Sequence, residues 1–505
     1  MLRSKPTLFG WWLRPGYSAN VRIDRPRRSF RTRTCPGTVH PRIDDGFAGF
    51  ACIECVAPPS RPSDVCGRIA FDGGSAVAKL CRAKEAKMRA DALVKSLFDV
   101  SKLPIRIALP DGTTLGPRAA EVAIALRTER AIEYLVAEPN DLGFARAYVS
   151  GDLDIDGDLF EFMRVQDQLR DALLSRSAVA ALPTIARMRL RSPAPPAAEV
   201  RLRGRTRSLR RDRSAISHHY DIPSEFFELI LGPTMAYTCA VFESHASNLD
   251  EAQAYKYELV CQKLGLRPGM RVLDIGCGWG GFLVHAALHH GVHVVGVTIS
   301  EEQLAYANNN IRNAGLSELA EARLQDYREI TDGPFDAVSA VGVFEHIGLS
   351  GRSPTFFDTV YALLVPTGRF LNHAISRRPG ESQRLDRDGF VNRYVFPDGE
   401  AIEVGQTVSA LQHAGFEVHN VESLREHYPR TLREWVARLE ANWSNAVRIV
   451  GEEKARVWRL YMAGYAVHFE MLKIQHHQCL AVRPDGGDSG MPPRPDWGGR
   501  PGRSL

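Results

Sequence analysis

The sequence predicts an α/β protein: a doubly wound, Rossmann-like sheet preceded by a smaller α+β domain. Three observations carry that expectation. An apolar run, Val272–Ile275, ends in a turn with four glycines and restarts as a helical pattern. Apolar strands and helical stretches then alternate as far as Ala374, the order that builds a parallel sheet. Upstream, the alternating stretch Pro104–Leu109 followed by Pro110-Asp111-Gly112 reads as a strand and turn of a separate, smaller unit.

Taken in order, residues 1–87 are rich in Arg, Pro, Gly and Cys and show no sustained period. They are expected to be a disordered extension or a mis-assigned start, with coherent patterning beginning after Met88. Residues 88–180 form the small domain, including a helix over Asp158–Arg170. Residues 181–217 form a basic linker around Ser192-Pro193-Ala194-Pro195-Pro196. The catalytic region spans 218–482. Its strands are expected at Arg271–Ile275, His293–Ile299, Ala320–Leu324, Phe335–Val343 and Gly368–Ala374, with helices at Gly281–His289 and from Glu301. Residues 376–400 break the alternation and read as an insertion or lid. The Gly/Pro-rich tail 483–505 is expected to be disordered.

Composition narrows the function. No run of 18 or more apolar residues occurs, so no spanning helix is expected. The net charge of +5 is unevenly placed: ten arginines against Glu199 and Asp212 lie between Arg187 and Arg213. Such a run reads as a solvated linker or as a surface for anionic phospholipid. Nucleic acid is not expected, since no recognition motif accompanies the charge. Cys52 and Cys55 make one CxxC pair with no second pair at zinc spacing, so neither a metal site nor a disulfide framework is expected.

The glycine turn Gly276-Cys277-Gly278-Trp279-Gly280-Gly281 lies where open α/β sheets bind ligands, outside the carboxyl ends of the strands. It also satisfies GxGxxG, which alone fits a nicotinamide dinucleotide. Two features argue for a different ligand. Asp274 precedes the first glycine, where a pyrophosphate is unwelcome but a cationic sulfonium is not. The second strand ends Val297-Thr298-Ile299-Ser300, with no acid to hold a ribose. The reading is S-adenosylmethionine and a class I methyltransferase sheet.

Several ordered blocks share a further pattern: His219-Tyr220-Asp221, Tyr237-Thr238-Cys239-Ala240, the glycine turn, Gly296–Ser300 with Gln303, Phe344-Glu345-His346-Ile347-Gly348, His373-Ala374-Ile375 and Arg393–Gly399. In these blocks the chain resembles the cyclopropane-fatty-acyl-phospholipid synthase family, which includes the mycolic acid cyclopropane synthases. The resemblance covers about three quarters of the chain, including Ala147–Gly157 of the small domain. It implies methylene transfer from S-adenosylmethionine to a cis double bond of a phospholipid acyl chain, through a carbocation deprotonated by bound bicarbonate.

The resemblance also implies a site. Cys239, Glu345, His373, the backbone of Ile375 and Tyr461 match the catalytic positions. Glu345 follows the fourth strand and His373 ends the fifth, so both belong to the sheet edge that carries the glycine turn. A Tyr461 ring could also stabilise a cation by its π face. Tyr237, Asp274, Gly276, Gly278, Thr298, Ser300, Gln303, Asp326 and Tyr327 match the cofactor positions. Taken singly, each has a plain alternative: a buried cysteine, a surface acid, a satisfied core histidine.

The expected partners are unsaturated phospholipid acyl chains and, peripherally, an anionic membrane, with the protein cytoplasmic and associated with the inner face of the cell membrane. A homodimer is compatible with the sequence. Methyl transfer to oleoyl chains, giving a methylene- or methyl-branched product, shares the same residues and is the alternative. A lipid-binding module or a nicotinamide oxidoreductase fits the motifs less well.

Overall fold

The computed structural model describes residues 103–138, 140–166, 168, 193–200, 211, 222–349, 355–380 and 389–497, all within one compact unit. The expected extension 1–87, most of the basic linker and His219-Tyr220-Asp221 lie outside the described residues.

The small N-terminal sheet holds β1 (Arg106–Ala108), β2 (Thr114–Leu115), β3 (Ala123–Leu126) and β4 (Leu153–Asp156), in the order β2-β1-β3-β4. Asp111 turns β1 into β2, its Oδ1 accepting the Thr113 N–H at 2.8 Å. Helices α1 (Glu129–Ala137), α2 (Asp141–Val149) and α3 (Leu159–Arg164) accompany the sheet. Asn140 and Asp158 cap α2 and α3 by accepting N–H groups of their first turns. The described part of the expected 158–170 helix is thus Leu159–Arg164.

Next come α4 (Ser224–Leu231) and α5 (Leu249–Leu264), the latter opened by an Asn248/Glu251 capping box. The large sheet starts with β5 (Arg271–Ile275), α6 (Gly281–His290), β6 (His293–Thr298), α7 (Glu301–Asn313), β7 (Ala320–Leu324) and β8 (Phe335–Val341). Then follow α8 (Phe344–Ile347), α9 (Phe356–Leu363), β9 (Leu364–Arg377), α10 (Phe390–Tyr394), β10 (Ile402–Glu403), α11 (Val404–His413) and β11 (Glu417–Ser423). The helices α12 (His427–Ala441), α13 (Trp443–Val450) and α14 (Glu452–Glu470) lead to β12 (Ile474–Val482).

Strand order is β11-β12-β9-β8-β5-β6-β7, with β10 beside β9. β5 to β9 run parallel, and the chain reverses its winding direction between β5 and β8. This switch point opens a crevice at the carboxyl ends of β5, β6 and β8. The sheet is mixed rather than all parallel: β12 runs antiparallel to both β9 and β11. It fills the place that a further parallel strand and crossover helix would take.

Two boundary expectations change. The small sheet is not a self-contained domain, since its core is continuous with α14. Arg456 of α14 donates to the carbonyls of Tyr148 (2.6 Å) and Leu153 (2.9 Å), tying the two parts together. Within the expected linker, residues 193–200 lie against that unit: Glu199 takes a two-pronged bond from buried Arg146 at 2.6 and 2.9 Å. The expected disordered tail is also shorter than 483–505. Arg483 donates to the Leu364 carbonyl at 2.6 Å, Asp485 and Asp488 exchange backbone bonds, and Trp497 packs on the core. No described helix is long and apolar enough to cross a membrane.

Candidate active site

β5 ends at Ile275, and the chain turns at once through Gly276, Gly278 and Gly280, at φ +75°, +54° and +83°. L side chains rarely adopt these angles, so the turn needs glycine for its backbone. Space adds a second reason at Gly276, where a Cβ would stand 2.3 Å from Val343 Cγ2. A Cβ at Gly278 would meet nothing within 4 Å. That glycine borders a cavity of about 460 Å³, large enough for a nucleoside-sized ligand.

The cavity is lined by Tyr237, Asp274, Gly276, Gly278, Thr298, Gln303, Asp326 and Tyr327, eight of the nine residues expected to bind cofactor. Ser300 is the exception: it caps α7, its Oγ accepting the Gln303 N–H at 3.3 Å. Thr298 in turn donates to Gln303 Oε1 at 2.9 Å, which fixes the Gln303 amide. Sequence reasoning missed Trp279, Thr238, Arg328 and His346 on the same wall. Trp279 sits inside the glycine motif, and its Nε1 donates to Ser224 Oγ at 2.9 Å.

Asp274 is buried, and burial raises its carboxyl to about 7, against the opposing pull of the Ser339 hydroxyl and Lys256. Ser339 Oγ donates to Asp274 Oδ1 at 2.6 Å. Lys256 is fully buried and burial lowers its ammonium to about 7. Its Nζ donates to Thr238 Oγ1 at 2.8 Å and lies 4.2 Å from the Tyr257 ring centre. Asp274 is therefore balanced between charged and neutral at physiological pH, a less simple counter-charge than the sequence suggested.

A second cavity, of about 70 Å³, lies beside the first and shares Tyr237, Thr238, Gly342 and His346 with it. Glu345, Ile375 and Tyr461 line it, together with Phe396, Tyr428, Tyr465 and His476. Glu345 sits in the first turn of α8. Burial raises its carboxyl to about 7, opposed by the Ile375 N–H. That N–H donates to Glu345 Oε1 at 2.6 Å, so it serves the carboxyl rather than standing free for a ligand. Glu345 Oε2 is buried with no hydrogen-bond partner among the described residues.

Cys239 and His373 are not on this wall. The buried Cys239 thiol has two carbonyls within donating reach of its one proton, Ala240 (3.3 Å) and Leu424 (3.7 Å), and burial pushes its pKa up, which keeps it protonated. His373 stands one ring behind, its centre 4.1 Å from that of His476, which does line the cavity. A relay from α5 sets its tautomer. Lys263 Nζ donates to Gln478 Oε1 at 2.7 Å, so the Gln478 amide nitrogen faces His373 Nδ1 at 3.1 Å. Nδ1 then accepts, and the ring proton sits on Nε2, which has no partner among the described residues.

A polar, glycine-turned cleft joined to a small aromatic pocket with a buried acid narrows the comparison with known proteins. The family model described as mycolic acid cyclopropane synthetase matches residues 207–479. The chain belongs to this family. It is accordingly an S-adenosylmethionine-dependent methyltransferase of the cyclopropane fatty acid synthase family. A "probable fatty acid methyltransferase" of Mycobacterium tuberculosis is 41% identical over 409 residues, 78% of this chain and 95% of that protein. The cyclopropane-fatty-acyl-phospholipid synthase of Escherichia coli is 36% identical over 54% of this chain and 68% of its own. The solved mycolic acid cyclopropane synthase CmaA1, complexed with SAH and CTAB, is 32% identical, with TM-score 0.50 over 54% of this chain and 98% of its own. The matched residues 207–479 include the lining of both cavities.

Proposed function

We propose that the protein transfers a one-carbon unit from S-adenosylmethionine to a cis double bond of a phospholipid acyl chain, closing a cyclopropane ring. The observation that supports this reading is the shared wall between the two cavities. Tyr237, Thr238, Gly342 and His346 face both, so a methyl donor in the larger and an alkene at the smaller would meet across them.

The residues fit each group. For the donor, Gly278 leaves backbone open to the cleft, Thr298 and Gln303 present a fixed polar pair, and Asp326 and Tyr327 border the far side. When bound, the donor supplies an electrophilic methyl on a sulfonium. For a bicarbonate-sized anion, Glu345 Oε2 is a buried polar atom without a partner at a cavity of that scale. Bicarbonate would supply the base there. A Glu345 raised to about 7 can carry a proton and donate it in a hydrogen bond to an oxyanion. The rings of Phe396, Tyr428, Tyr461 and Tyr465 surround the place where positive charge develops on the chain, and their π faces favour it over water.

In this reading the arginine-rich 187–213 segment and the 88–180 region bring the enzyme to an anionic bilayer, and the 218–482 region performs the chemistry. Methyl transfer giving a methylene- or methyl-branched chain is the second reading, favoured by the relative described as a probable fatty acid methyltransferase. Expression in a host with cis-monounsaturated phospholipids, followed by mass spectrometry of its fatty acids with and without Glu345→Gln, separates them. A product one methylene heavier that resists hydrogenation is the ring, and a reducible one is the methylene branch. A saturated branched chain, two hydrogens heavier than the ring product, is the methyl branch, and it requires a hydride donor supplied by the host. No new acyl species from a protein that binds S-adenosylmethionine would overturn every version.

A further inference from the structure

His476 has no role in the site expected from sequence, yet it lines the smaller cavity. It lies on β12 opposite Ile375 of β9, two residues before Gln478, which pairs with His373. Directly opposed residues share a face, and side chains two apart do so along a strand. His373, His476 and Gln478 therefore present polar groups, beside the apolar Ile375, on one face of the sheet.

His476 is 1% exposed and lines the cavity, and neither ring nitrogen has a hydrogen-bond partner among the described residues. Its neighbour His477 shows the contrast: it faces the other side and its Nδ1 is bonded to Ser376 Oγ at 2.7 Å. A buried imidazole left unpaired gives up its bonds to water with nothing in return, so such a ring in a cavity wall calls for a ligand. Packing explains where the ring sits, against His373 at 4.1 Å and Tyr428 at 5.1 Å between ring centres, but supplies no polar partner.

Among the described residues Glu345 Oε2 is likewise without a partner at the same cavity, as is His373 Nε2, whose ring packs against His476. Burial, with Lys256 and neighbouring histidines, holds His476 well below its ordinary pKa, so the ring is neutral and carries one N–H. A neutral imidazole N–H and a protonated carboxyl are the donors a small planar oxyanion needs where water is excluded.

We propose that His476 is a further ligand of the reaction pocket, donating its ring N–H to a carbonate-class oxyanion held together with Glu345. This rests on the bicarbonate part of the proposed function and adds a residue to it. His476 acts on the anion that takes the proton, and it forms no bond to the acyl chain.

The experiment is titration of [13C]bicarbonate into the full-length protein saturated with S-adenosylhomocysteine, read by 13C NMR, for wild type, His476→Phe and His476→Gln. Bicarbonate affinity should fall about tenfold or more in His476→Phe, with S-adenosylhomocysteine affinity within about twofold of wild type. It should recover in His476→Gln, which keeps an N–H donor. His476→Leu repeats the test with a smaller apolar side chain if the Phe variant loses S-adenosylhomocysteine. In turnover assays, KM for bicarbonate should rise more than kcat falls. Wild-type affinity in His476→Phe, or no bicarbonate binding by wild type, would overturn the assignment. His476-dependent binding by a protein that modifies no acyl chain would support it while overturning the lipid reading. Acyl modification with binding indifferent to His476 would do the reverse.

Discussion

Ile375 donates its backbone N–H to Glu345 Oε1 at 2.6 Å, and this bond joins the end of β9 to the short helix that follows β8. One carboxyl oxygen is thereby committed to the scaffold, and the other is left for chemistry. Glu345→Gln keeps the size and an acceptor for Ile375 but cannot exchange a proton. Turnover should fall by about 100-fold or more, with S-adenosylhomocysteine affinity within about twofold of wild type by calorimetry. Retention of half the activity would remove Glu345 from the chemistry.

The Lys263–Gln478–His373 relay makes a separate prediction. Gln478→Leu takes away one acceptor of the buried Lys263 ammonium, which keeps its bond to Glu422, and the donor to His373 Nδ1. Thermal unfolding should show a loss of about 1–3 kcal/mol, and the His373 tautomer should no longer be single by 15N NMR. An unchanged tautomer would mean that Gln478 does not set it.

The cleft should sense pH through Asp274 and Lys256, both near 7. Asp274 is raised from its ordinary range, so it holds its proton until pH climbs through about 7. Lys256 is lowered, and loses its charge over the same interval. Both changes make the cleft more negative as pH rises. Affinity for the cationic S-adenosylmethionine should therefore increase from about pH 6 to about pH 8 relative to its neutral-sulfur product. Calorimetry with both ligands checks this, and a constant ratio would contradict it.

Gly276→Ala should be costly, because the new methyl meets Val343 at φ +75°. A stability loss of about 1–3 kcal/mol is expected, with weakened cofactor binding. Gly278→Ala has open space and should fold better, its methyl intruding on the cleft instead. Denaturant unfolding and S-adenosylhomocysteine titration of the two variants distinguish the effects.

Much of this was legible in the sequence, and the exceptions have physical causes. β5 lies at the expected residues, and α6 exceeds its expected end by one, because a buried parallel strand and a glycine turn leave a strong local pattern. β7 also lies where expected, as an edge strand whose burial alternates. β12 was not expected. Its His476 and Gln478 place polar groups on a buried face, so Ile474–Val482 reads neither as an apolar run nor as a clean alternation. Ser300 looked like a ligand contact because capping and binding favour the same hydroxyl at a helix start. Cys239 matched a motif, yet its thiol is buried beside two backbone carbonyls that compete for its one proton. Which groups are already satisfied is a tertiary property that motif spacing does not carry.

The central claim is that the two adjoining cavities pass a methyl carbon to an alkene. It is tested most directly by incubating the purified full-length protein with vesicles of cis-monounsaturated phospholipid, bicarbonate and S-adenosylmethionine deuterated in its methyl group. The acyl chains should gain that carbon with loss of one deuterium and resist hydrogenation, in wild type but not in Glu345→Gln. Acyl chains free of label after prolonged incubation, from protein that binds the labelled donor, would contradict the account.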